Sequence, residues 1–207
     1  MKKALIVVDV QNDFCKGGAL AVPGANEIIP YINTLIKRND YDEIIFTQDW
    51  HPAHHKSFAS NNDKKVGDII SLNGTPQIMW PKHCVQGSFG AKFHKDLDTS
   101  KATHIIKKGT HPEFDSYSAF QDNHRFMKTD LDDYLRSKGI KTIEIAGLAL
   151  DYCVKYTCLD ALENGYTTYL HTAGTRAVNI NPQNGKETLD LLLNKGVYTI
   201  DNINCTP

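Results

Sequence analysis

Apolar residues recur along the chain in short runs that alternate with stretches of helical spacing. Six of these runs are predicted strands, and the first of them, 4–10, is rich in Ile and Val and lacks the apolar–polar alternation of a half-exposed strand. This pattern is typical of strands that are buried on both faces of a parallel sheet. The six runs cover residues 4–10, 43–47, 103–107, 142–150, 167–171 and 197–200.

Apolar residues at helical spacing separate several of these runs. A helix that opens at Gly24 or Asn26 is predicted before the second run, and further helices are predicted over 130–138, 153–164 and 182–194. Gly139 and Gly165 end two of them. Strands that alternate with helices predict a three-layer α/β/α fold with a six-stranded, mostly parallel, doubly wound sheet. The first and fourth strands are expected to be neighbours.

The segment from about 49 to 101 breaks the regular pattern. It has little sustained periodicity, yet it holds five of the nine histidines, which are His51, His54, His55, His83 and His94. A compact domain seldom keeps so long an irregular connection unless the connection binds or covers something. The length of 207 residues predicts a single domain, 1–207, with this long loop as a metal-binding region.

Charge and cysteine content narrow the classes of partner. Lys and Arg total 23 against 24 Asp and Glu, which gives a net charge of -1, so no global positive field attracts nucleic acid. No apolar stretch approaches the ~18 residues that span a bilayer, so no membrane partner is expected. The five cysteines are odd in number and widely spaced, which fits a reducing cytoplasm better than a disulfide framework.

Three reactive side chains follow the predicted strands. Asp9 closes the first strand, Lys108 closes the third, and Cys153 follows the fourth. Ligands of open parallel sheets bind beyond the carboxyl ends of the strands, so an acid, an amine and a thiol are expected to meet there. A thiol at a helix amino terminus has a lowered pKa and serves as a nucleophile. Taken singly, Asp9 also suits a turn cap, Lys108 a solvated charge and Cys153 a small buried hydrophobe.

Asp49 and His51 lie two residues apart directly after the second strand, so both side chains point the same way if the segment is extended. One further histidine completes a divalent metal site with open positions. His83 is preferred because Trp80, Pro81 and Cys84 stiffen its segment; His55 is the competitor, and His54 a weaker one. A carboxylate with two imidazoles suits zinc, iron or manganese, with zinc as the first choice. The alternative is that these loop histidines are simply exposed.

Aromatic residues lie in the segments that leave the same edge of the sheet. Phe14, Trp80, Tyr117 and Phe120 predict a pocket for a flat, neutral ring, although aromatic residues at such positions also serve as loop anchors that pack on the core.

Several motifs recur in order over nearly the whole chain. They are Asp9-Val10-Gln11-Asn12-Asp13-Phe14; Asp49-Trp50-His51-Pro52 continuing to His55, Ser57 and Phe58; Trp80-Pro81-Lys82-His83-Cys84-Val85; Lys108-Gly109; Asp115-Ser116-Tyr117-Ser118-Ala119-Phe120; and Gly147-Leu148-Ala149 continuing to Cys153-Val154. Together they resemble the nicotinamidase branch of the isochorismatase-like cysteine hydrolases.

The resemblance implies an activity and a set of roles. The activity is deamidation of nicotinamide to nicotinate and ammonia in NAD salvage, through a cysteine thioester. The implied catalytic residues are Asp9, Lys108 and Cys153; the implied metal ligands are Asp49, His51 and His83; and the implied contacts to the substrate ring come from Phe14, Trp80, Tyr117 and Ala149. The sequence does not determine the oligomeric state, and a homo-oligomer is compatible with it.

The resemblance also implies a non-proline cis peptide before the nucleophile, expected here between Ala149 and Leu150. The backbone amides of Leu150 and Cys153 are then expected to form the oxyanion hole. Many relatives are expected to have Thr where this chain has Leu150, so the backbone contribution is retained here while the hydroxyl of a Thr side chain is lost.

Three other functions fit parts of the pattern. A metal-free cysteine amidase or isochorismatase-type hydrolase would share the sheet, Asp9 and Lys108, but it does not need Asp49, His51 and His83. A zinc hydrolase with metal-bound water needs the metal but not the thiol. A non-catalytic nucleotide-binding module has the same architecture, but the turn over residues 10–18 lacks the Gly-x-Gly-x-x-Gly pattern.

Overall fold

The computed structural model describes residues 2–201, in which six strands form one sheet. These strands are β1 (Lys3–Val8), β2 (Glu43–Asp49), β5 (His104–Lys108), β6 (Thr142–Leu148), β7 (Thr167–Arg176) and β8 (Tyr198–Ile200). Their order is β5-β2-β1-β6-β7-β8, and every neighbouring pair is parallel. The expectation that the first and fourth predicted strands are neighbours is confirmed, because β1 pairs with β6; Val7 of β1 lies opposite Phe46 on one side and Ala146 on the other.

Helices cover both faces of the sheet. They are α1 (Ile28–Lys37), α2 (Leu131–Lys138), α3 (Lys155–Glu163) and α4 (Asn184–Lys195). Leu5 and Val7 of β1 pack in the cluster that contains α1, whereas Ile6 and Val8 pack in the cluster that contains α2, α3 and α4. The predicted three-layer α/β/α fold is confirmed. None of the helices among residues 2–201 has the length and apolarity needed to cross a membrane.

The order of the strands reverses at the centre of the sheet. From β1 the chain builds β2 and β5 on one side, then returns to build β6, β7 and β8 on the other. In such sheets the crevice for a ligand lies beyond the carboxyl ends of the two central strands. The fold therefore locates a site at the ends of β1 and β6.

The long segment 49–101 contains a hairpin that the periodicity did not predict. Strands β3 (Ile69–Leu72) and β4 (Thr75–Ile78) pair antiparallel outside the main sheet. Asn73 and Gly74 join them with φ of +50° and +84°, the turn for which Asn-Gly is the usual signal. The strands were missed because this hairpin has no buried apolar face, and Ile69 is 68% exposed. Cys205, counted among the cysteines above, lies outside the described residues.

Candidate active site

The structure brings Asp9, Lys108 and Cys153 together beyond the ends of three strands. The Nζ atom of Lys108 lies 2.9 Å from Asp9 Oδ2 and 3.3 Å from Cys153 Sγ. A carboxylate oxygen of Asp9 lies within 4.8 Å of the same sulfur atom. An acid, a cation and a thiol are therefore close enough to exchange a proton.

Local structure explains how each of the first two side chains reaches the site. Asp9 directly follows β1 with φ of +48°, a left-handed conformation that Asp tolerates better than most residues. Its Oδ1 accepts a hydrogen bond of 2.5 Å from the Thr47 hydroxyl of β2. Lys108 ends β5 and is 2% exposed; its ammonium donates to the carbonyl oxygen of Ser116 at 3.0 Å and to Asp49 Oδ1. A buried ammonium needs such partners.

The charges of this cluster determine which groups are ionised. Burial opposes the charge on Lys108, but Asp49 and Asp9 outweigh burial and raise the pKa of the ammonium well above its usual value. Burial also opposes ionisation of Asp49, yet Lys108 and His51 hold the pKa of that carboxyl well below its usual value. For Asp9, burial raises the pKa, and Lys108 only partly offsets the effect. Of the two carboxylates, Asp9 and Asp49, Asp9 is therefore the one that accepts a proton more readily.

Cys153 is a thiol in the resting site. Burial raises its pKa well above the usual value, and Asp9 and Asp49 add to this while Lys108 opposes it. The expectation that a helix amino terminus lowers this pKa is wrong. Cys153 lies inside a π-helical turn, Leu150–Val154, that precedes α3, and two carboxylates lie close to the sulfur. Ionisation of this sulfur requires a base, and Asp9 is adjacent.

The cis peptide near the nucleophile lies one residue earlier than expected. It joins Leu148 and Ala149, so the prediction of a cis bond between Ala149 and Leu150 is wrong. Leu150 begins the π-helical turn, and its side chain is buried in the core cluster under α3. Ala149 and Cys153 line the pocket described below, whereas Leu150 does not.

Asp49, His51 and His83 form a set of metal-binding donors. Asp49 Oδ2 lies 3.5 Å from His51 Nε2 and 3.7 Å from His83 Nε2. The Nδ1 atoms of the two histidines bond to the carbonyl oxygens of Gly109 at 2.8 Å and Pro81 at 2.7 Å. Carbonyl oxygens only accept, so each Nδ1 carries the proton and each Nε2 lone pair is left for a ligand. The donor set fits a divalent metal ion.

A glycine is required where the chain passes this donor set. Gly109 has φ of +61°, and a Cβ atom at this position would lie 2.4 Å from Cε1 of His51. The backbone thus comes close enough for the carbonyl of Gly109 to orient the His51 ring. This accounts for the Lys108-Gly109 pair in the sequence.

His55 and His54, the alternatives to His83 as a metal ligand, lie in different surroundings. His55 is buried beside His51, and it forms a second group of possible ligands with His51 and Asp115. Burial and the proximity of His51 lower the pKa of His55 to about 4, so its ring is neutral near pH 7. His54 is exposed. Asp115 was not anticipated, because only folding brings its carboxylate near the two histidines.

A narrow pocket opens above Cys153. Four of its lining residues were predicted: Phe14, Trp80, Tyr117 and Ala149. Sequence reasoning missed four others: Leu20, Asp115, Tyr152 and Val178. The indole N–H of Trp80 donates to the Tyr117 hydroxyl at 3.1 Å, and the ring of Tyr152 packs edge-on against Trp80 at 4.9 Å. The prediction for Phe120 is wrong, because its side chain packs in the core against Tyr166 instead.

A comparison with protein families identifies the fold and the motifs together. The family model described as "Isochorismatase domain" matches residues 3–201. The chain belongs to the isochorismatase family. Within this family, it is 49% identical over 183 residues to the nicotinamidase of Escherichia coli, an alignment that covers 87% of this chain and 86% of that protein.

Solved structures of the isochorismatase fold agree with this assignment. The nicotinamidase and pyrazinamidase of Acinetobacter baumanii superposes with a TM-score of 0.92 at 41% identity, covering 97% of this chain and 96% of the other. The pyrazinamidase of Pyrococcus horikoshii in complex with zinc superposes with a TM-score of 0.80 at 36% identity, covering 98% of this chain and 100% of the other.

Proposed function

We propose that this protein hydrolyses nicotinamide to nicotinate and ammonia in NAD salvage, through a thioester on Cys153. The observation that carries the proposal is the contact of one buried ammonium, that of Lys108, with both Asp9 and Cys153 at the base of an aromatic pocket. The names of the similar proteins from Escherichia coli and Acinetobacter baumanii support this choice of substrate. The whole chain, 1–207, is proposed to act as one domain.

The first half of the reaction forms the thioester. Asp9 accepts the proton of the Cys153 thiol, and the ammonium of Lys108 stabilises the thiolate that forms 3.3 Å away. The sulfur attacks the carboxamide carbon, and the oxygen of that group gains the negative charge. Asp9 then gives its proton to the nitrogen, the C–N bond breaks and ammonia leaves.

Backbone amides are the proposed donors to the oxyanion. An oxyanion hole needs N–H groups aimed at the place where negative charge develops, and loss of one such donor costs on the order of 3 kcal/mol. Of the two residues expected for this role, Cys153 lines the pocket and Leu150 does not. We assign the second donor to Ala149, which lines the pocket together with Cys153.

The second half of the reaction releases nicotinate. A water molecule attacks the carbonyl carbon of the thioester, and Asp9 accepts a proton from the water. The C–S bond breaks, the proton on Asp9 returns to the sulfur, and the carboxylic acid that forms loses its remaining proton to solvent as nicotinate. The same carboxylate thus acts twice as base and twice as acid, which suits its raised pKa.

Asp49, His51 and His83 would hold the metal, which we propose to be zinc. A divalent cation supplies a Lewis acid that binds a ring nitrogen or water. The rings of Phe14, Trp80 and Tyr117 would contact the faces or edges of the pyridine ring. Because these contacts do not depend on one ring nitrogen, pyrazinamide is expected to be a further substrate.

An ammonia-release assay tests the proposal. With nicotinamide, we expect release by the wild type and none by Cys153→Ala, which should still bind the metal and nicotinamide. Cys158→Ala is the matched control, since Cys158 is also a buried thiol but lies in α3 away from the pocket. Release by Cys153→Ala at the wild-type rate would contradict the scheme and favour a metal-bound water as nucleophile.

A cytoplasmic location is proposed on the state of the cysteines. Cys15, Cys84, Cys153 and Cys158 are all free and buried. The nucleophile needs a reduced sulfur, and a reducing compartment keeps it so.

A further inference from the structure

A second cavity lies beside the active-site pocket and shares one wall with it. Its volume is about 370 Å³, against about 30 Å³ for the narrow pocket above Cys153. The ring of Tyr152 belongs to both linings. The rest of the wall comes from Ile78 at the end of β4, from the start of α3, and from Thr188 and Leu191 of α4. The proposed reaction does not use this cavity.

Lys155, the first residue of α3, lines this cavity with a half-buried ammonium. Its Nζ lies 5.7 Å from the centroid of the Tyr152 ring and 4.8 Å from that of Tyr156. Within residues 2–201 it forms no ion pair with a carboxylate. Burial lowers the pKa of Lys155, and the charge of Asp151 only partly offsets this effect. A cation that is partly removed from water and lacks an ion-pair partner is a ready counter-ion for an anion.

Two carboxylates also line the cavity, and neither pairs with this cation. Both oxygens of Asp151 accept backbone hydrogen bonds of 2.9 Å, from the N–H groups of Val178 and Asn179, so its charge is already stabilised. Glu187 is exposed on α4, where Asn184 Nδ2 donates to it at 3.5 Å. The ammonium of Lys155 is thus the group with unused capacity for a charged ligand.

The remaining lining determines what kind of anion fits. Ile78, Leu191 and the two tyrosine rings are apolar surfaces, and Leu191 is 39% exposed. An inorganic anion would leave these apolar surfaces exposed to water, whereas an anion with a flat apolar body covers them. We propose that this cavity binds a small aromatic carboxylate, with the ammonium of Lys155 as its counter-ion.

The shared wall connects this cavity to catalysis. Tyr152 precedes the nucleophile in the π-helical turn and packs against Trp80 in the active-site pocket. A carboxylate that draws the ammonium away from the tyrosine faces acts directly on the residue next to Cys153. If the proposed function holds, on which this step rests, nicotinate is of the right chemical class, and the cavity is a site for inhibition by the product.

Titration calorimetry with benzoate tests the cavity separately from the chemistry. The Cys153→Ala protein, saturated with nicotinamide to fill the active-site pocket, should bind one benzoate per chain. Lys155→Met in that background should weaken binding about tenfold or more, because a charged partner is lost. Leu191→Glu, an exposed change that adds a negative charge to the wall, should do the same. Lys155→Arg and Lys186→Met, which removes an exposed lysine of α4, should bind like the parent.

The opposite results are equally specific. Equal affinity of the parent, Lys155→Met and Leu191→Glu for benzoate would overturn the proposal, and so would equal binding of the neutral analogue benzyl alcohol. Loss of all benzoate binding when nicotinamide is present would place benzoate in the active-site pocket and overturn it too. In wild-type kinetics, benzoate should lower kcat, and Lys155→Met should abolish this effect. If benzoate binding depends on Lys155 but the wild-type protein releases no ammonia from nicotinamide, the proposed function is refuted and the cavity is retained.

Discussion

Two clusters of charged side chains within residues 2–201 differ in how completely their acids are hydrogen-bonded. Near the amino ends of β1 and β6, Glu144 accepts from Lys3 Nζ at 2.9 Å through one oxygen and contacts His171 Nε2 at 2.9 Å through the other. The hydroxyl of Tyr41 donates to it as well, and that of Tyr31 bonds to His171 Nδ1 at 3.0 Å. Each charge in this cluster has hydrogen-bonding partners.

In the cluster at the carboxyl ends of the strands, formed by Asp9, Lys108 and Cys153, the hydrogen bonding of the acid is incomplete. Asp9 Oδ2 lies 2.9 Å from Lys108 Nζ but accepts no well-directed hydrogen bond from residues 2–201. The pKa values follow the bonding: burial raises that of Asp9, whereas hydrogen bonds from His171, Tyr41 and Lys3 outweigh burial and lower that of Glu144 to about 2. Glu144, which is fully hydrogen-bonded, keeps its charge and stabilises the fold. Asp9, whose Oδ2 lacks a hydrogen bond within the described part of the chain, is free to take up a proton.

The same acid-to-amide change should separate the two clusters. Asp9→Asn removes the proton carrier, and we expect ammonia release from nicotinamide to fall between about 10² and 10⁴-fold. Glu144→Gln should keep kcat within about twofold at 25 °C, because no atom of Glu144 lies in the pocket. Steady-state assays of both variants decide this. Equal losses of activity would mean that the two clusters do not have separate roles.

Removal of the metal should affect only the cluster at the active site. We expect dialysis against a chelator to remove most activity, and zinc to restore it, because Asp49 and the two imidazoles lose their shared partner. His83→Ala should lower the bound metal measured by elemental analysis, while His54→Ala, at an exposed position, should not. Full activity of a metal-free protein would favour the metal-free amidases of the family.

Glu144 should make stability depend on pH at the acidic end. Its pKa is about 2 in the folded protein against 4.5 for an ordinary glutamate, so the unfolded chain binds the proton more tightly. The stabilisation is complete above pH 4.5 and is lost as the pH falls toward 2, by roughly 3 kcal/mol in all. Urea unfolding at pH 6 and pH 3 should therefore show a smaller loss for Glu144→Gln than for the wild type. Equal losses of stability in the wild type and Glu144→Gln would show that other carboxyl groups cause the sensitivity to acid.

The smallest effect is expected at Leu150. Leu150→Thr places a hydroxyl in the core beneath α3, which should lower the free energy of unfolding by about 1–3 kcal/mol. Because the side chain of Leu150 does not line the pocket, kcat and KM should change less than twofold. Chemical unfolding and the ammonia assay test the two halves. A large change in kcat would instead show that Leu150 contributes to the oxyanion hole.

Sequence reasoning succeeded where a local pattern has a local cause. The apolar runs predicted the six strands of the sheet, and the positions of Asp9, Lys108 and Cys153 at or after strand ends predicted that they would meet. It failed where the cause is distant in the chain. Nothing adjacent to Phe120 indicates that its ring packs against Tyr166 rather than in the pocket.

Electrostatics and small shifts of register were also beyond local reading. The raised pKa of the Cys153 thiol results from burial and from carboxylates more than 100 residues away in the chain. The cis bond lies one residue earlier than predicted, before Ala149 rather than before Leu150. The β3–β4 hairpin did carry a signal, Asn73-Gly74, but its flanks lack a buried face. Asp115 and Tyr152 acquire neighbours only when the long loop folds over the sheet.

The reversal of strand order bears on how the protein is made. The strand β1 lies between β2 and β6, so a nascent chain that ends before residue 142 has its innermost strand exposed along one entire side. Such a chain also lacks the sulfur at position 153. Activity cannot therefore accumulate gradually during translation, because the ribosome must add residue 153 before a single amide can be cleaved.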